Sequence, residues 1–175
     1  MKLPPIPPRL ACRPRDRRGL PIPFTVLILA DGTPDFRLSD LDRWEEAVSR
    51  PCCALCGGSL KGLKKWFVGG PMCFENRLFT DPAMHRECAI FALRACPFLA
   101  MPKGHYSSLE ARPIPEGFGV MPAVSDTRPE RFMLACARGF TVGTWGPTTV
   151  IQATAWQRVE WWKDGVLLES EGAVE

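Results

Sequence analysis

The residues best equipped for chemistry in this chain are Cys53, Cys56, His85 and Cys88. In Cys53-Ala54-Leu55-Cys56-Gly57-Gly58, two thiols separated by two residues can turn both sulfurs into one pocket. The glycine after Cys56 permits positive φ, which lets backbone N–H groups face the thiolates. A CxxC pair also serves redox chemistry, but that use places it near a βαβ unit, opening a helix, and here two glycines oppose a helix start. The second pair, His85 and Cys88, is three residues apart and shares one face of a predicted helix. Three thiolates and one imidazole make a tetrahedral set with no position left for water, the chemistry of a closed structural zinc site.

Other thiols compete for these roles. Cys52 could replace Cys53, at a wider spacing to Cys56, and Cys73 could act as core or as a substitute ligand. Cys96 falls on the same helical face as His85 and Cys88 but about two turns beyond Cys88, too far to share one ion readily, so it reads as a small buried hydrophobe. Cys12 and Cys136 have no partner pattern. The plainest alternative makes all eight cysteines core residues and His85 a satisfied helix histidine. An iron–sulfur cluster is a further alternative, given the extra cysteines nearby.

The elements that must position these residues can be read from hydrophobic period and punctuation. Residues 1–23 hold seven of the 18 prolines, and the segment reads as an extended, polyproline-like basic arm. PFTVLILADGTPDFRL reads as a hairpin turning at Asp31-Gly32. SDLDRWEEAVSR reads as a helix capped by Ser39 or Asp40, with Leu41, Trp44 and Val48 on one apolar face, stopped by Pro51. KKWFVGGPMCFENRLF reads as a second hairpin turning at Gly69-Gly70-Pro71, and PAMHRECAIFALRAC as a helix capped by Asp81. Residues 99–117 read as loop. GFGVM, RFMLACA and TTVIQATAW read as strands. WQRVEWWKDG reads as a short helix on the spacing of Trp156, Val159 and Trp162, with a hairpin at Asp164-Gly165 as its rival.

Knuckle, hairpin and helix in that order assemble a treble-clef-like zinc centre. The expected fold is therefore α+β, with that centre and additional antiparallel strands. The expected organisation is an arm over 1–23, a zinc-centred domain over 24–98, a loop over 99–117 and a mostly β portion over 118–175 packed on the same domain.

Composition narrows the function classes. With 46% hydrophobic and 23% charged residues, the chain is ordinary globular material and can build a core. The opening MKLPPIPPRL lacks an apolar signal region, and the longest apolar run, FTVLILA, is far short of the about 20 residues of a membrane span. A cytoplasmic location and reduced thiols are the expectation. Only His85 and His105 are histidines, so metal binding by His85 leaves His105 alone for acid–base work. No GxSxG, P-loop or dinucleotide-binding glycine pattern occurs. A net charge of +3 does not by itself imply a nucleic-acid partner, but its distribution is uneven. Arg13, Arg15, Arg17 and Arg18 could track phosphates, and Lys61, Lys64 and Lys65 bring charge beside the knuckle, where Trp66 could stack on a base. The competing reading buries Trp66 and leaves the lysines as a solvated face.

The segments CALCGG, FVGGPMCFENR, DPAMHRECAIFALRACPFL and VEWWKDG resemble a group of uncharacterised bacterial and prophage-type proteins. That group shares a CxxCG knuckle, a GPMC…NR hairpin, an HxxCA helix ending in CPF and a late VEWW segment. The likeness spans most of residues 17–165 and is densest over 53–99; the ending VLLESEGAVE departs from it. The resemblance implies Cys53, Cys56, His85 and Cys88 as metal ligands, draws Cys73 and Cys96 into consideration, and implies no enzyme activity. The resulting expectation is a non-enzymatic, zinc-stabilised binding protein of bacterial or phage type, with nucleic acid preferred as partner. The alternatives are a zinc-supported nuclease or hydrolase using His105, and a protein-interaction factor acting on host machinery.

Overall fold

The computed structural model describes residues 3–101, 128–146 and 148–171. It is an α+β fold built on two antiparallel sheets. The larger sheet has the order β3 (Lys65–Gly69), β5 (Phe132–Ala137), β8 (Trp156–Lys163) and β9 (Val166–Glu171). The smaller has the order β4 (Leu78–Phe79), β7 (Thr148–Ala153) and β6 (Phe140–Trp145). A separate hairpin joins β1 (Val26–Ile28) to β2 (Pro34–Ser39) around Asp31-Gly32, as the turn pair predicts.

Alternation along the strands sends side chains of the large sheet in two directions. On one face Phe67 meets Phe79, Phe140 and Trp156 at centroid distances of 4.8, 6.2 and 6.4 Å, so aromatic rings from both sheets form the core between them. On the other face lies helix α4 (Arg86–Ala95), whose Arg86 and Arg94 guanidiniums lie over the rings of Trp66 and Trp162. β5 is buried along its whole length, which identifies it as the strand covered on both faces.

Several local expectations differ from the structure. The segment after the knuckle is not a hairpin: β3 is followed by the short helix α3 (Pro71–Asn76) and then β4, and the two strands belong to different sheets. Pro71 opens that helix instead of turning a hairpin, and Arg77, at φ 58°, ends it. Helix α4 begins at Arg86, not after Asp81. The cause is tertiary: Met84 exchanges two backbone hydrogen bonds with Trp66, at 2.8 and 3.1 Å, and the Ala54 N–H donates to the Ala83 carbonyl, so residues 83–84 are held extended.

The stretch Trp156–Lys163 is a strand, and Asp164-Gly165 turns it into β9 with both residues at positive φ. Its helix-like spacing arises because Trp161 and Trp162 are buried on opposite faces and the pairing shifts register between them. In helix α2 (Leu41–Ser49), Asp40 caps by accepting from the Arg43 N–H, but Trp44 and Ala47 are the buried residues and Leu41 is exposed. The basic segment is not extended throughout: Pro8–Ala11 form helix α1, and Leu10, Leu20 and Ile22 are buried. The expected strand GFGVM lies outside the described residues. No helix among the described residues is long and apolar enough to cross a membrane.

Candidate metal centre

The knuckle is a backbone turn before it is a binding site. The Gly57 N–H donates to the Cys53 carbonyl, and the Cys53 N–H to the Gly58 carbonyl, each at 2.8 Å. Gly57 sits at φ +74°, and a Cβ there would lie 2.9 Å from the Phe24 ring, so both conformation and space require glycine. Cys52 and Ser59 pair antiparallel where the chain leaves the turn.

The second half of the site arrives from residues 83–88. His85 is the N-cap residue of α4 and Cys88 lies in its first turn. The bridge from Trp66 to Met84 and the hydrogen bond from Ala54 to Ala83 deliver this corner to the knuckle. The four donor atoms of Cys53, Cys56, His85 and Cys88 lie within 4.8 Å of one another, and Cys53, His85 and Cys88 are buried. Tetrahedral ligands on a zinc-sized ion sit roughly 3.5–3.8 Å apart. The 3.3 Å separation of Cys56 Sγ and His85 Nδ1 is close to that spacing. The donor set therefore fits a metal ion.

Supporting contacts orient the donors. The Gly58 N–H donates to Cys56 Sγ and the His85 N–H to Cys53 Sγ, both at 3.3 Å. His85 Nε2 lies 3.2 Å from the Ser59 carbonyl. A carbonyl only accepts, so Nε2 carries the imidazole proton and Nδ1, facing the thiols, is the free donor atom. The thiols share protons unequally. Hydrogen bonds from the Cys53 and Cys88 thiols, helped by the Gly58 N–H, hold Cys56 well below the usual thiol range. The same sharing pushes Cys53 and Cys88 up. A bound cation would favour releasing the thiol protons.

The rival ligands lie elsewhere. Cys73 packs beneath Gly69, where an added Cβ would come within 2.6 Å of the Cys73 Cβ. Cys96 caps the far end of α4, Cys136 is buried in β5, and Cys12 is exposed. Cys52 is buried beside the knuckle, and burial pushes its thiol up.

The residues expected to meet nucleic acid fall into two groups. On the N-terminal segment, Arg13 donates to the Ile22 carbonyl and lies over the Phe24 ring, and Arg18 pairs with Asp16. Arg15 and Arg17 are exposed. Near the knuckle, Lys61 and Lys64 are exposed and Lys65 is half-buried. Trp66 is corrected: it is buried beneath Arg86 and offers no face to a base. Trp161 and Trp162 are likewise buried and form no exposed patch. His105 lies outside the described residues.

Two features escaped sequence reading. The Ser59 carbonyl that fixes the His85 tautomer is a backbone atom and leaves no mark in residue type. Arg86 and Arg138 join the basic surface around Lys64, and the position of Arg86 beside His85 was the available signal for the first. No known family model matches the chain, and neither do curated proteins or solved structures.

Proposed function

We propose that the protein is a non-enzymatic binding module whose knuckle and helix α4 are joined by one structural zinc ion held by Cys53, Cys56, His85 and Cys88. The observation that carries this reading is the convergence of three thiols and one imidazole, within 4.8 Å, from two segments about 30 residues apart. Thiolate-rich tetrahedral sets suit zinc, and four protein ligands leave no open coordination position for substrate or water. That closure favours a structural role over a catalytic one. The preferred partner is nucleic acid, because exposed lysines stand beside the knuckle.

Elemental analysis of the purified chain tests the metal. The expected result is one zinc per chain, retained through dialysis and released when the thiols are modified. Cys88→Ser should lose that zinc together with the order of the knuckle and the start of α4, since structural zinc sites carry about 10–16 kcal/mol of apparent binding free energy. A Cys88→Ser protein that keeps stoichiometric zinc would overturn the ligand set.

A further inference from the structure

We propose that the basic surface on either side of Leu63 is a track for the phosphate backbone of a nucleic acid. This rests on the binding-module reading above and gives its partner a place and a mode of contact. Two shallow grooves, of about 210 and 260 Å³, share Leu63 and Lys64 as their dividing wall. Arg9, Lys64 and Arg86 line the first, together with Glu87. Lys64, Lys65 and Arg138 line the second, and no carboxylate does. Lys61 stands in the same turn.

The surface is cationic after its pairings are counted. Glu87 is answered by Arg9 at 2.6 Å. Glu160 is fully buried and accepts from both Arg86, at 2.6 Å, and Arg158, at 3.0 Å, so one carboxylate serves two guanidiniums. Among the described residues, Lys61, Lys64, Lys65 and Arg138 form no ion pair with a carboxylate.

A linear polyanion suits this arrangement better than an acidic protein does. Protein interfaces concentrate their energy in aromatic or Arg anchors within desolvated pockets, but these grooves are open, their one aromatic wall, Trp66, is buried beneath Arg86, and Leu63 is their exposed apolar side chain. A nucleic-acid backbone needs only spaced cations. With Trp66 closed off beneath Arg86, no described ring lining the grooves is exposed for stacking, so the contact is to phosphate and blind to base sequence. The turn is also held in place. Ser59 at its start accepts from His85 Nε2, and Trp66 at its end is bridged to Met84.

The test uses the full-length, metal-loaded chain and two fluorescent probes, a mixed-sequence single strand of about 20 nucleotides and the matched duplex, with binding read by anisotropy against KCl concentration. Engagement of four cations predicts a log–log salt slope of about −3 for the single strand and about −3.5 for the duplex. The Lys64→Gln/Lys65→Gln/Arg138→Gln variant should weaken binding roughly tenfold or more at low salt and flatten the slope by about two for the single strand and nearly three for the duplex. Changing the base sequence should leave affinity within about twofold. The proposal is overturned if neither probe binds in a salt-dependent way. It is also overturned if the triple variant, with parental zinc content and melting temperature, binds as the parent does. Polyaspartate competing as well as nucleic acid at equal charge would overturn the choice of partner. Zinc-loaded protein that binds neither probe removes the track alone, whereas a folded protein without metal removes the reading beneath it.

Discussion

The corner at residues 53–60 and 83–88 and the sheet at residues 132–171 are held by different physics. The sheet buries rings against rings: Phe67, Phe79, Phe140 and Trp156 interlock, and β5 is covered throughout. The corner has few large apolar side chains and instead gathers three thiols and an imidazole around a glycine-bearing turn. Dispersion and water exclusion grow with area and need no particular ligand. A donor cluster contributes little until its centre is filled, and its thiols compete for protons in the meantime. The two regions meet along the Trp66–Met84 bridge, so each limits how far the other can move.

The largest effect should come from removing metal. Chelation should collapse hydrogen-exchange protection at the Gly57 and Gly58 amides and at His85, while the paired amides of β5 and β8 exchange much more slowly. Simultaneous loss of protection in both places would merge the two regions into one cooperative unit. Trp156→Ala reverses the comparison. It removes a ring that contacts both Phe67 and Phe79, along with the indole N–H donation to the Phe74 carbonyl, and should cost about 3–5 kcal/mol in chemical denaturation with zinc stoichiometry unchanged.

The smallest effect concerns acid. Burial pushes the Asp16 carboxyl up, but hydrogen bonds from the Arg18 side chain and from the Leu20 and Arg18 N–H groups outweigh it and hold the group below its ordinary value of 3.8. Its contribution is therefore complete above the unfolded-chain pKa and disappears as pH falls through the lower folded value. Asp16→Asn should melt slightly earlier than the parent at neutral pH. The difference should vanish once pH falls below the lowered folded-state value.

The clustering of Cys53, Cys56, His85 and Cys88 was legible because donor chemistry resides in residue type, and CxxCG with HxxC leaves few other arrangements. The α+β class and the first hairpin were legible from short-range period and the Asp-Gly turn. What escaped depended on distant partners. Gly69-Gly70-Pro71 has the composition of a turn, yet β3 pairs with residues 133–137 and β4 with residues 151–152, and neither choice is written locally. His85 looked helical by spacing, but the strand-like pairing of Met84 delays the helix until Arg86. The tryptophans of β8 carried a helix-like rhythm because the strand is buried on both faces and shifts register. Trp66 could be read as platform or core, and only the position of Arg86 decides between them.

The two Asp-Gly turns differ in what lies around them. A Cβ placed on Gly32 meets nothing within 4 Å, whereas one on Gly165 comes within 3.6 Å of the Arg94 Cα and the Leu93 carbonyl. A fluorophore, affinity tag or inserted loop grafted at residues 31–32 would project freely into solvent. The same graft at residues 164–165 would pry the hairpin from the end of α4. The first turn is thus the natural handle for tethering the molecule, and the second is a latch to leave untouched.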